Sequence, residues 1–108
     1  NHGGRQLDGT VSPLRVLPEI VQACPQVPVM VDSGFRRGTD VIKALALGAK
    51  FVFVGRPFNY AASVGGEGGV RKGIRLLREE VSRNLAMLGV TSVAEISDEV
   101  LVNSNGKS

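Results

Sequence analysis

Pro28-Val29-Met30-Val31-Asp32-Ser33-Gly34-Phe35-Arg36-Arg37-Gly38 and Phe51-Val52-Phe53-Val54-Gly55-Arg56-Pro57 share one pattern. In each, a short apolar run rich in β-branched or aromatic residues reads as a strand. Each run breaks at a glycine that lets the backbone approach a ligand closely, with an arginine beside it. A helical pattern separates the two runs, which predicts parallel pairing through a right-handed crossover. Glycine and arginine at the carboxyl ends of adjacent parallel strands make a phosphate site. The two stretches together predict an α/β fold that takes a phosphorylated cofactor or substrate.

Both strands are apolar at consecutive positions, so each needs cover on both faces. Two strands and the helices available in 108 residues cannot cover both faces and both edges of such a sheet. The expectation is a portion of a larger parallel sheet or barrel, and a first residue of Asn1 rather than Met agrees with it.

Outward from the strands, Ser12-Pro13 opens a helix carrying Leu14, Leu17, Ile20 and Val21 to about Ala23. Pro18 inside that pattern predicts a kink or a restart. Thr39-Asp40 opens a second helix, Val41 to about Leu47, stopped by Gly48. Gly55 to Gly69 shows little regular pattern and reads as a loop. Val70, Ile74, Leu77, Val81, Leu85 and Leu88 predict the longest helix, ended by Gly89. Ser92-Val93-Ala94-Glu95 is a capping box for one short further helix. Residues 1–102 thus form the structured segment, and Asn103 to Ser108 reads as a disordered tail.

The net charge of +3 is not concentrated in a run. Arg71, Lys72, Arg75 and Arg78 fall at helical spacing as a solvated face, and a chain with no Trp and only Tyr60 offers little for base stacking. No nucleic-acid partner is expected. A single cysteine, Cys24, excludes an internal disulfide, gives no support to a metal site and reads as a semi-buried thiol. No apolar stretch reaches the roughly 18–20 residues of a membrane span, and no signal peptide is visible. The location expected is intracellular, cytoplasmic or peripheral to the inner face of a membrane.

Asn1 to Gly9 is polar, glycine-rich and reads as a loop. It holds the only histidine, His2, and three residues later Arg5, whose planar guanidinium can grip a carboxylate bidentately. An imidazole beside a carboxylate clamp suits removal of a proton near the carbon that bears the carboxylate. Read alone, the same residues fit an exposed histidine, Asp32 fits a turn former, and Arg56 fits a cap or an ion pair.

Asn1-His2-Gly3-Gly4-Arg5-Gln6-Leu7-Asp8, then Asp32-Ser33-Gly34-Phe35-Arg36-Arg37-Gly38-Thr39-Asp40-Val41, Lys43-Ala44-Leu45-Ala46-Leu47-Gly48-Ala49-Lys50 and Val54-Gly55-Arg56-Pro57 stand in one collinear order. In these blocks the chain resembles the FMN-dependent 2-hydroxy acid oxidase and dehydrogenase family, which includes glycolate oxidase, L-lactate oxidase and dehydrogenase, and mandelate dehydrogenase. The resemblance implies the carboxyl-terminal part of a (β/α)8 barrel, with strands seven and eight and their helices. It also implies FMN as cofactor and oxidation of an (S)-2-hydroxy acid such as lactate, glycolate or mandelate. His2 matches the active-site base and Arg5 the residue that binds the substrate carboxylate. Asp32, Ser33, Gly34, Phe35 and Arg36 match the first flavin-phosphate segment, and Gly55 and Arg56 the second. Arg37 reads as a surface charge.

Many members have Asp-Gly-Gly-Val where this chain has Asp32-Ser33-Gly34-Phe35; Ser33 is expected to exclude a left-handed backbone there. The partner implied is the amino-terminal part of the same barrel, which carries the remaining flavin and substrate contacts. The family resemblance also implies a homo-oligomer, commonly a tetramer. The rival readings are a non-catalytic phosphate-binding half-barrel and a segment of another phosphate-binding barrel enzyme.

Overall fold

The computed structural model describes residues 1–102; the tail expected to be disordered, 103–108, lies outside the described residues. Four helices and two strands run in the order α1 His2–Gln6, α2 Pro13–Ala23, β1 Met30–Val31, α3 Gly38–Ala46, β2 Phe51–Val52 and α4 Arg56–Leu88. Single 3-10 turns at Val93–Glu95 and Asp98–Val100 follow.

The strands pair in parallel, with Met30 opposite Phe51 and Val31 opposite Val52. The ladder reaches one step further at each end: the Lys50 N–H donates to the Val29 carbonyl at 2.8 Å and the Phe53 N–H to the Val31 carbonyl at 2.9 Å. Side chains alternate across the sheet. Val31 turns to one face and packs in the core with Leu17 of α2, Ala44 of α3, Phe35 and Ala49. Val29, Val52 and Val54 extend that layer.

On the opposite face Met30, Phe51 and Phe53 are 58%, 54% and 51% exposed. The two phenyl rings lie against each other at 4.9 Å. Nothing among the described residues covers this apolar face. The chain exposes 8322 Å², against roughly 5,800 Å² for a compact chain of this size. Its radius of gyration is 15.2 Å, against about 13 Å for a self-sufficient domain of this length.

Several local features depart from the sequence reading. Pro18 does not restart α2, which runs unbroken from Pro13 to Ala23; the missing proline N–H leaves one carbonyl of its first turn without an intrahelical donor. Cys24 is exposed rather than semi-buried, because it caps α2 in a non-helical conformation (φ −122°, ψ 59°) that takes it off the apolar stripe. Asn1 to Gly9 is not all loop, since α1 occupies residues 2–6.

The largest departure is at Gly55 to Gly69, which is helical from Arg56 with Pro57 in the first turn. Gly66 (φ 56°, ψ −141°) interrupts α4 and folds its first half, 56–65, back on the second, 67–88. The glycines that hide the helical pattern make this contact possible. Gly69 lies against the Ala61 carbonyl oxygen, and a Cβ on Gly73 would stand 3.2 Å from the Phe58 ring. The helix stops fall where expected: Gly48 (φ 103°) and Gly89 (φ 74°) end α3 and α4. Glu95 accepts from the Thr91 and Ser92 amides at 2.6 and 3.2 Å, although the capped element is a 3-10 turn.

Gly38, the first residue of α3, packs tightly against α4. A Cβ there would stand 2.6 Å from Glu80 Cβ and 2.8 Å from the Val81 nitrogen. Gly38→Ala in the complete protein should cost about 1–3 kcal/mol through overpacking and lower the melting temperature by several degrees. Gly65→Ala, where a Cβ meets nothing within 4 Å, is the control and should be neutral or mildly stabilising; equal losses in the two variants would show that the α3–α4 spacing is not the constraint.

Candidate flavin and substrate site

The carboxyl ends of β1 and β2 open onto one cavity of about 760 Å³. It is lined by His2 and Arg5 from α1, by Asp32, Ser33, Gly34, Phe35 and Arg36 from the loop after β1, and by Gly55 and Arg56 at the start of α4. All nine residues singled out in the sequence therefore meet at one place. Phe35 differs from the rest in that its side chain is buried in the core, so its main chain is what it chiefly offers the cavity.

His2 and Arg5 reach the same space because α1 is a single helical turn. The Arg5 N–H donates to the Asn1 carbonyl at 3.2 Å, and residues three apart share one helix face. The main-chain N–H groups of Gly34, Phe35, Gly55 and Arg56 donate to no acceptor among the described residues. A Cβ built on Gly34 or Gly55 would meet nothing within 4 Å, so space is open against both stretches of backbone. Arg36 and Arg56 form no ion pair among the described residues, whereas Arg37 is paired with Glu80 at 3.0 Å. Free amides, two uncommitted guanidiniums and bare backbone make a donor set that fits a phosphate group. No cluster of three or more metal-ligating side chains occurs among the described residues. Nor is any described helix long and apolar enough to cross a membrane.

Residues 1–103 match the family described as FMN-dependent dehydrogenase. The chain belongs to that family. It is 54% identical over 98 residues to glycolate oxidase 2 of Oryza sativa subsp. indica, covering 90% of this chain and 27% of that protein. Its fold matches flavocytochrome b2 with sulfite bound (TM-score 0.89, 50% identity, 96% of this chain and 28% of that one). It matches a soluble mutant of the membrane-associated (S)-mandelate dehydrogenase from Pseudomonas putida equally well (TM-score 0.90, 46% identity, 96% and 30%). The chain thus spans less than a third of the length of these relatives, as a mostly helical portion of the flavocytochrome b2-like fold with two parallel strands.

Tyr60 and Asn59, in the first turn of α4, also line the cavity. They escaped the sequence reading because their segment reads as a loop; Pro57 at a helix start was the signal that could have found them.

Ser33 corrects a further expectation. It adopts φ 92°, with Gly34 following at φ 81°, so the left-handed geometry is present without glycine at position 33. Such a conformation costs a non-glycine residue about 1–2 kcal/mol. Its hydroxyl donates to Asp32 Oδ1 at 3.1 Å. The Ser33 hydroxyl first of all holds the Asp32 carboxyl below its ordinary value of 3.8, and the charge of nearby His2 acts in the same sense.

Two outcomes are expected. Ser33→Gly should match or exceed the parent in melting temperature while Ser33→Ala falls below it, because alanine keeps the strain and loses the hydrogen bond; the reverse order would exclude strain at this position. Asp32 binds fewer protons folded than unfolded near its ordinary value, so the hydrogen bond it accepts from the Ser33 hydroxyl should be fully present above about pH 4. That bond should loosen only as pH falls further through the lowered value, which amide hydrogen exchange of residues 33–35 would report.

Proposed function

We propose that this chain is the carboxyl-terminal part of an FMN-dependent enzyme that oxidises an (S)-2-hydroxy acid to a 2-oxo acid. In this reading β1 and β2 are the seventh and eighth strands of a (β/α)8 barrel. The bare face bearing Met30, Phe51 and Phe53 is then turned to the barrel interior, and the amino-terminal part of the barrel supplies the missing cover. The observation that carries the proposal is the convergence of His2 and Arg5 with two glycine–arginine strand ends on one cavity.

The chemistry divides between the two ends of that cavity. Arg36, Arg56 and the N–H groups of Gly34, Phe35, Gly55 and Arg56 hold the flavin phosphate through charge-assisted hydrogen bonds. Arg5 binds the substrate carboxylate and orients the carbon that carries the hydroxyl. His2 takes one proton from that hydroxy acid. When bound, FMN would supply the acceptor for the two electrons and for the substrate's second hydrogen, which leaves the hydroxyl-bearing carbon as a carbonyl. The substrate is a small acid of the lactate, glycolate or mandelate class. A phosphate-binding element without turnover would have no use for the His2–Arg5 pair.

In the complete protein, His2→Gln should keep its flavin yet lose about 10²–10⁴-fold in the rate of anaerobic flavin bleaching by L-lactate, glycolate or mandelate, the contribution of a positioned base. Near-normal bleaching would remove His2 from that role. Arg56→Ala should weaken FMN binding by about 1.5–3 kcal/mol, and Arg5→Lys should raise the substrate KM with FMN affinity intact; unchanged constants in equilibrium titration and steady-state kinetics would refute each assignment.

A further inference from the structure

The loop between β1 and α3 is fastened by two carboxylates, neither of which lines the cavity. Asp40 Oδ2 accepts from the Arg36 and Arg37 N–H groups, each at 3.0 Å. This contact is local, made within the first turn of α3. Glu80 is different, because it belongs to the second half of α4. Its Oε2 accepts from the Gly38 N–H at 2.7 Å and its Oε1 from Arg37 Nε at 3.0 Å.

The Glu80 side chain is 27% exposed and stands where the α3 and α4 backbones come closest, at Gly38. A charged group at such a crossing is costly unless fully paired, and here the pairing falls on the phosphate loop. The consequence is a division of the loop's donors. The amides of residues 36–38 are consumed by Asp40 and Glu80, whereas those of Gly34 and Phe35 stay free. Arg37, which also lines the cavity, is paired through Nε with Glu80, whereas Arg36 forms no ion pair among the described residues. Since the half of α4 that begins with Arg56 folds back across Gly66 on the half that carries Glu80, Glu80 ties the first glycine–arginine element to the packed helix pair that carries the second.

We propose that Glu80 is a positioning residue for flavin-phosphate binding, which fixes the 33–37 loop by holding Arg37 and the amino terminus of α3 on α4. The proposal rests on the reading that this loop holds the FMN phosphate. Riboflavin, which lacks the phosphate, separates a positioning effect from general loss of structure.

In the complete protein, the Kd values of FMN and riboflavin are measured by flavin fluorescence quenching for Glu80→Gln, Glu80→Ala and Arg56→Ala. Glu80→Gln should raise the FMN Kd about tenfold, the scale of one charge-assisted contact, and change the riboflavin Kd less than twofold. Glu80→Ala should raise the FMN Kd further. If Glu80→Ala does not fold, the isosteric glutamine variant decides. Parallel losses for both flavins, or an unchanged FMN Kd in Glu80→Gln, would overturn the positioning role. Should Arg56→Ala lose FMN-selective affinity in that same experiment, the phosphate reading itself survives; absence of FMN selectivity in Arg56→Ala would overturn both.

Discussion

The parallel register that sets Met30 opposite Phe51 and Val31 opposite Val52 is what the rest of the structure depends on. Neighbouring strands lie about 4.8 Å apart, so chains that leave the sheet at Asp32 and at Phe53 must turn into the same space. That alone brings Gly34 and Arg36 to the same cavity as Gly55 and Arg56. A slip of β2 by one residue would carry Val52 to the uncovered face and drive the Phe51 and Phe53 rings against α2 and α3. Core and cavity would be lost together, because one pairing creates both.

The same register explains why the chain is stable on one side and bare on the other. Alternation sends valines to the helices and Met30, Phe51 and Phe53 away from them. Val31 is 6% exposed and its strand neighbour Met30 is 58% exposed, a contrast that a parallel sheet covered on both faces would not leave. In the proposed barrel the bare face becomes interior packing, and the exposed rings become part of the core. The cavity is open for the same reason: its floor is formed by this chain, and its remaining walls belong to whatever covers the sheet.

How much of this was legible in the sequence follows from where local chemistry and tertiary contact agree. The strands, α3 with its stop at Gly48, and the end of α4 at Gly89 have periodicity and terminators that point the same way, and they were readable. The helix 56–65 was not, because Gly65, Gly66, Gly68 and Gly69 obscure a pattern stabilised by packing of Phe58 and Ala61 on Gly73 and Gly69. The single turn α1 is too short for periodicity to register. Ser33 was misjudged because steric preference was applied without its hydroxyl bond to Asp32. The nine residues that line the cavity were picked out by motif, and what motif could not provide was their support: Glu80 lies 42 residues from Gly38, and no local pattern connects them.

Charge placement gives the cavity its division of labour. In the proposed reading Arg5, Arg36 and Arg56 draw two anions, a phosphate and a substrate carboxylate, into one space. Two anions close together repel, so such a site needs a reason to keep them apart. Asp32 lines the same cavity, its carboxylate accepting from the Ser33 hydroxyl. Kept ionised by that donor first of all, it disfavours an anion beside it. In that reading a phosphate is best held by the free amides with Arg36 and Arg56, and a carboxylate by Arg5. Pairing Arg37 with Glu80 then leaves Arg36 as the unpaired guanidinium of the loop, which favours the phosphate there.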